Sequence, residues 1–121
     1  MGKKVLVVDD EETNRELFRQ ILKIRDYEVV EAENGKQALL LVMQEQPDLI
    51  LLDLFMPGGD GLSVIRGVRE SLKLRAIPIV VVTAASNEDI HQRIQEAGCD
   101  ALIRKPVDLY HVLEVVDKFL A

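Results

Sequence analysis

Residues 49–61 read LILLDLFMPGGDG, and this stretch decides the fold. Four apolar residues, Leu49 to Leu52, run straight into a lone acid, Asp53. Met56-Pro57, Gly58-Gly59 and Asp60-Gly61 follow at once. An apolar run of strand length with no polar face, closed by turn-forming residues, belongs in a parallel sheet covered on both sides. Val5–Val8 and Ile79–Val82 are runs of the same kind, and Glu28–Ala32 and Ala101–Ile103 are weaker ones. Helical spacing fills the intervals. Leu17, Phe18, Ile21 and Leu22 make one stripe, and Ala38, Leu39, Val42 and Met43 a second. Leu62, Ile65, Val68 and Leu72 make a third. Ile90, Ile94 and Ala97 make a thinner fourth, with Ser86-Asn87 as its cap. Leu109, Val112, Leu113, Val116, Phe119 and Leu120 make the last, capped by Asp108. The expectation is an α/β chain of five strand–helix units forming one domain over residues 1–121.

Composition narrows the function classes. The chain has 121 residues, enough for one core and too few for two. With no tryptophan and few aromatics, that core must be aliphatic. A net charge of -6 argues against direct nucleic-acid binding, because phosphate backbones select basic surfaces. Cys99 is the only cysteine, so no internal disulfide can form, which suits a reducing compartment. No apolar run approaches the roughly 18 residues of a membrane span. The run after Met1-Gly2-Lys3-Lys4 is too short for a signal peptide. A soluble cytoplasmic protein with no membrane partner is expected.

In open parallel sheets, ligands bind beyond the carboxyl ends of the strands. The residues found there are Asp9 and Asp10, Asp53, Thr83 and Lys105. Each has a plainer reading by itself. Asp53 could form a turn, and Asp9-Asp10 could be a solvated acidic helix start favoured by the helix dipole. Thr83 could cap a helix, and Lys105 could be a surface charge. Jointly the five fall on one edge of the inferred sheet. Three carboxylates gathered there repel each other unless a cation lies among them. A hard ion with oxygen ligands answers that repulsion, Mg²⁺ first and Mn²⁺ as the alternative. Lys105 and Thr83 are then suited to the oxygens of a phosphoryl group.

VLVVDDEE, LLDLFMPGGDG, VVVTA and IRKP, in that order and spacing, resemble the receiver domain of bacterial two-component response regulators, of the single-domain CheY-like kind. The resemblance covers about Lys4 to Ala121. It implies a flavodoxin-like (βα)5 fold, a five-stranded parallel sheet of order 2-1-3-4-5 with helices on both faces. It implies that Asp53 is the phosphoacceptor. Asp10 would ligate Mg²⁺ directly and Asp9 mainly through water, with the backbone carbonyl of Phe55 as a further ligand. Thr83 would move toward the phosphoryl group and Lys105 would pair with it. The peptide bond before Pro106 would be cis. The implied partners are a sensor histidine kinase or phosphotransfer protein as donor and a downstream effector protein. The implied role is a phosphorylation-activated switch of a two-component system or phosphorelay, not an enzyme. A phosphorylation-independent interaction module, or a receiver excised from a longer regulator, is the alternative. No output domain is expected, so the signal would leave by protein contact through Leu102, Arg104, Val107 and Tyr110.

The sequence departs from the family pattern at Leu102, where an aromatic residue usually couples the site to the surface. Phe55 and Ala85, two residues after Asp53 and Thr83, carry no group that could orient a water. This predicts a long-lived aspartyl phosphate. A phosphatase of the aspartyl-nucleophile class would need an acid at position 55, where Phe stands. A flavodoxin-like cofactor binder would need a phosphate loop after the first strand, where DDEE would repel phosphate. His91 and His111 are expected at the solvated surface, and Cys99 toward the core. Arg15, Arg19 and Lys23 share a helix face, expected to be solvated, with partner docking as the alternative.

Overall fold

A computed structural model describes residues 2–54 and 60–120. Strands and helices alternate throughout. They are β1 (Lys4–Val8), α1 (Glu12–Lys23), β2 (Glu28–Ala32), α2 (Gly35–Glu45), β3 (Leu49–Asp53), α3 (Asp60–Glu70), β4 (Ile79–Thr83), α4 (Glu88–Ala97), β5 (Ala101–Arg104) and α5 (Leu109–Leu120). The five strands form one parallel sheet of order β2-β1-β3-β4-β5. This is the order that the resemblance implies. The apolar runs occupy its centre, and every residue of β3 and β4 is buried.

Successive side chains of a strand point to opposite faces, so each apolar run supplies two cores at once. Val5, Val7, Leu49, Leu51, Val80, Val82 and Ile103 pack against α1 and α5. Leu6, Val8, Ile50, Leu52, Ile79 and Val81 pack against α2, α3 and α4. Each fully buried Leu or Ile contributes about 1.5–3 kcal/mol relative to exposure, so the aliphatic sheet is the main source of stability.

Four members of the expected apolar stripes, Leu17, Met43, Leu72 and Leu109, are exposed instead. Leu72 does not continue the stripe of α3. The helix ends at Glu70, and Leu72 lies in the following turns, 83% exposed. Val64 takes a core position on α3 beside Ile65 and Val68. The caps fall as the polar residues direct. Asn87 Oδ1 accepts from Asp89 N at 2.7 Å, and Asp108 Oδ1 accepts from Tyr110 N at 2.8 Å.

The end of the sheet away from the strands' carboxyl termini is fastened by Arg69, on the last turn of α3. Its Nε donates to Gly98 O at 2.8 Å. Its Nη1 donates to Arg75 O and Ile77 O at 2.8 and 2.7 Å. Its Nη2 pairs with Asp100 at 2.6 Å. Gly98 closes α4 at φ 112°, a left-handed conformation that glycine adopts without a Cβ penalty. A Cβ there would also meet Arg69 Cγ at 3.1 Å.

The turn after α1 is tied to α5 through Asp117. Tyr27 Oη donates to Asp117 Oδ1 at 2.5 Å, and Arg25 Nε donates to Oδ2 at 3.0 Å. Burial first, then the hydrogen bond to Asp117, pushes the Tyr27 phenol up to about 12 from its usual value near 10. A folded-state value above the unfolded one means that this contribution is complete below about pH 10 and is lost as pH rises toward about 12. Tyr27→Phe is expected to cost about 1–2 kcal/mol at neutral pH, one hydrogen bond to a charged acceptor. It should also flatten the fall in stability between those pH values. Urea titrations of both proteins at neutral and alkaline pH measure this, and an unchanged alkaline slope would contradict it.

Candidate functional site

The carboxyl ends of β1, β3, β4 and β5 bring the predicted residues together. Asp9 follows β1 directly, and its backbone N–H donates to Ala32 O at 3.1 Å, extending the ladder to β2. Asp53 is the last residue of β3, opposite Val82 of β4. Thr83 ends β4, opposite Arg104 of β5. Lys105 follows β5, and its N–H donates to Thr83 O at 2.9 Å. The functional side chains are thus seated on backbone held by sheet hydrogen bonds, which fixes their directions.

One carboxylate oxygen from each of Asp9, Asp10 and Asp53 lies within 4.8 Å of the others. Asp9 and Asp53 are buried, at 1% and 7% exposure, whereas Asp10 is exposed. Asp9 Oδ1 accepts from Glu11 N at 2.9 Å and from Asn14 Nδ2 at 3.5 Å. Its other oxygen, Oδ2, is buried and has no hydrogen-bond partner among the described residues. A buried carboxylate oxygen costs free energy unless something meets it. Three converging carboxylates, one of which carries a buried oxygen with no donor among the described residues, suit a small hard cation that keeps some of its waters.

Lys105 Nζ lies 3.5 Å from Asp53 Oδ2, so its ammonium stands at the mouth of the cluster. Thr83 is fully buried, and its Oγ1 accepts from Ala85 N at 3.0 Å. The Lys105–Pro106 peptide bond is cis. Leu102 is half-buried against the α2–α3–α4 core, while Arg104 and Tyr110 are exposed. The Phe55 carbonyl and the Met56-Pro57-Gly58-Gly59 turn lie outside the described residues. At Gly61, a Cβ would stand 2.7 Å from Leu54 O, so the start of α3 passes the residue after β3 too closely for a side chain.

Two side chains expected in solvent are buried instead. Arg15 is 7% exposed. Its Nη1 donates to the Asp9 carbonyl at 2.8 Å, and its other nitrogens meet Glu12 at 2.6 Å and Glu31 at 3.3 Å. It braces the backbone of the acidic cluster from below, while Arg19 extends the ion-pair network through Glu12 and Glu31. The readable signal was spacing. Arg15, Phe18 and Leu22 share one face of α1, and a guanidinium on an apolar stripe needs carboxylates around it. His91 is also 7% exposed and binds the loop after β4. It stands three residues before Ile94, on the buried side of α4. His111 is exposed as expected. Cys99 is half-buried against the core, and burial pushes its thiol up.

Comparison with known proteins agrees with this geometry. The response regulator receiver domain family model matches residues 5–117. The polar-differentiation response regulator DivK of Brucella anthropi is 37% identical over 120 residues, covering 99% of this chain and 98% of DivK. The chemotaxis protein CheY4 of Vibrio cholerae superposes with a TM-score of 0.92 at 27% identity, covering 99% of this chain and all of that one. The receiver domain of the sensor histidine kinase PA1611 from Pseudomonas aeruginosa superposes at 0.90 with 25% identity, covering 98% of each chain. That domain was crystallised with a magnesium ion coordinated in its active-site cleft. The chain therefore belongs to the response regulator receiver domain family and is a phosphorylatable switch of two-component signalling.

Proposed function

We propose that Asp53 is the phosphoacceptor of this switch. The observation that carries the reading is the convergence of Asp9, Asp10, Asp53 and Lys105 at the carboxyl edge of the sheet. An Asp53 carboxylate oxygen forms a bond to phosphorus as the P–N bond of a donor phosphohistidine breaks, and the electron pair leaves with the imidazole. The product is an acyl phosphate, a covalent form open to carboxylate nucleophiles. The burial of β3 holds the nucleophile in one direction, so little orientational entropy is lost on reaction. The Lys105 ammonium is placed to pair with a phosphoryl oxygen, and the Thr83 hydroxyl to donate to another.

Asp9, Asp10 and Asp53 would hold Mg²⁺, or Mn²⁺ in its place, with the Phe55 carbonyl as a further ligand. The bound ion would neutralise charge on the phosphoryl oxygens. The magnesium site of the PA1611 receiver supports this, as does the Asp9 oxygen that has no partner among the described residues. The donor is a histidine kinase or phosphotransfer protein, and the output is a changed protein-binding surface around Leu102, Arg104 and Tyr110. Phosphorylation biases two pre-existing conformations by contacting Thr83 and Lys105 differently in each. The reducing cytoplasm suits a chain whose single cysteine is unpaired. Among the described residues no helix is long and apolar enough to cross a membrane.

Intact mass after incubation with acetyl phosphate tests the reading. The expected result is a gain of one phosphoryl group that requires Mg²⁺ and is reversed by hydroxylamine, which cleaves acyl phosphates. No gain from a folded protein would overturn it in favour of a phosphorylation-independent interaction module.

Phosphoryl lifetime provides a second prediction. Neither Phe55 nor Ala85 offers a polar side chain to orient an attacking water. Phe55→Asn is expected to shorten the half-life about tenfold, the rate equivalent of roughly one net hydrogen bond to the attacking water. Decay of the phosphorylated mass after donor removal measures this. An equal or longer half-life in the variant would contradict it.

A further inference from the structure

The geometry points to His91 as the positioning residue that couples the phosphoryl site to the protein surface, replacing the aromatic side chain absent at position 102. This inference rests on the reading of Thr83 as a phosphoryl-contacting group. Four groups form an unbroken chain of contacts. Thr83 Oγ1 accepts from Ala85 N at 3.0 Å. The Ala85 carbonyl lies 2.7 Å from His91 Nε2. His91 Nδ1 lies 3.3 Å from Arg104 Nη2. Arg104 is the register partner of Thr83 on the neighbouring strand. Ala85 is thus gripped at both ends, its N–H by the threonine and its C=O by the histidine.

The partners determine the ring's tautomer. A carbonyl only accepts, so Nε2 must carry the proton facing Ala85. A guanidinium only donates, so Nδ1 must present its lone pair to Arg104. The ring is therefore a directional bridge, donating at one nitrogen and accepting at the other. Its burial leaves it few alternative partners. Strand alternation places Thr83 and Arg104 on the sheet face that α4 covers. The bridge therefore crosses only from the β4–α4 loop to α4 and on to β5.

The bridge ends where the surface begins. Glu88, His91, Gln92, Gln95, Leu102 and Arg104 line an open, mainly polar cleft between α4 and β5. If Thr83 rotates about its Cα–Cβ bond and carries Oγ1 toward a phosphoryl oxygen, the Ala85 peptide must follow or lose its N–H partner. Either motion changes the carbonyl that orients His91. Loss of the Nδ1 contact then frees the Arg104 guanidinium to swing across Leu102. Small shifts grow in this way when the packed elements have two discrete arrangements. An aromatic ring would transmit the same event by filling space, whereas here a polar bridge is made or broken.

The test uses nuclear magnetic resonance of the whole chain, with beryllofluoride and Mg²⁺ as the phosphoryl mimic. In the wild type, the expected result is a shift of the Thr83 amide, both His91 ring nitrogens and Arg104 Nε. Two variants cut the bridge at different points. His91→Asn keeps an acceptor near Nδ1 and gives up the reach to Ala85. His91→Gln keeps a donor that reaches Ala85 and gives up the acceptor for Arg104. Both are expected to keep the Thr83 response and lose the Arg104 response. A merely structural histidine would lower stability in both and leave the Arg104 response intact, which would overturn the inference. Unchanged wild-type ring nitrogens alongside a shifted Thr83 would overturn it too, whether or not the variants fold. A wild-type Thr83 that does not respond would overturn the reading of the site along with it.

Discussion

Asp53→Asn is expected to gain no phosphoryl mass from acetyl phosphate under conditions that load the wild type completely. The substitution keeps the shape of the side chain and removes its nucleophile, because an amide oxygen has no full charge to offer phosphorus. Asp53 closes a strand whose every residue is buried, and the amide occupies nearly the same space. Its cost in folding should be small, since the charge lost is one of three in a repelling group. Circular dichroism can confirm that the variant is folded before its mass is read. Should Asp53→Asn gain the same mass as the wild type, another residue would be the acceptor.

The second large effect has two opposite parts. Asp9→Asn is expected to stabilise the metal-free protein by about 1–2 kcal/mol, the scale of relieving one like-charge contact at the edge of a protein interior. Asp9 Oδ1 can remain the acceptor for Glu11 N, so the loop after β1 keeps its anchor. The oxygen without a partner is replaced by an amide that can donate toward its carboxylate neighbours. The same variant should lose the stabilisation that Mg²⁺ gives the wild type. That gain is about 2.7 kcal/mol at a hundredfold excess of ion over its dissociation constant. Thermal melts of both proteins across a Mg²⁺ series measure both parts. A variant less stable than the wild type without metal, or one that still gains fully from Mg²⁺, would count against the cation site.

The sheet was legible because its message is local and redundant. VLVV, LILL and IVVV admit no half-exposed strand, and their buried positions follow at once. The acids were legible because each stands where an apolar run stops, which in a parallel sheet is also where ligands bind. Arg15 and His91 were missed for the opposite reason. Each is polar, and a polar side chain reads as solvated until its position on the helix is set against its neighbours. Arg15 lies in line with Phe18 and Leu22, and His91 three residues before Ile94, both on faces that had to be covered. What buries them is a partner distant in sequence: Glu31 on β2 for one, Arg104 on β5 for the other. The end of α3 was hidden in another way. Leu72 keeps the helical spacing, but the chain turns at Ser71, and no residue type there forces the break.

Arg69 gives the domain a mechanical polarity. One guanidinium clasps three backbone carbonyls and a carboxylate at the end of the sheet remote from the acids. The α3–β4 and α4–β5 connections are riveted there like the root of a cantilever. With its carboxyl end held there, helix α4 would move chiefly at its amino-terminal tip, where Asn87 and His91 stand beside the loop after β4. A rod clamped at its base turns a push at the tip into rotation about the base. The signalling stroke of this protein would therefore be a lever movement, its amplitude set by the length of one helix.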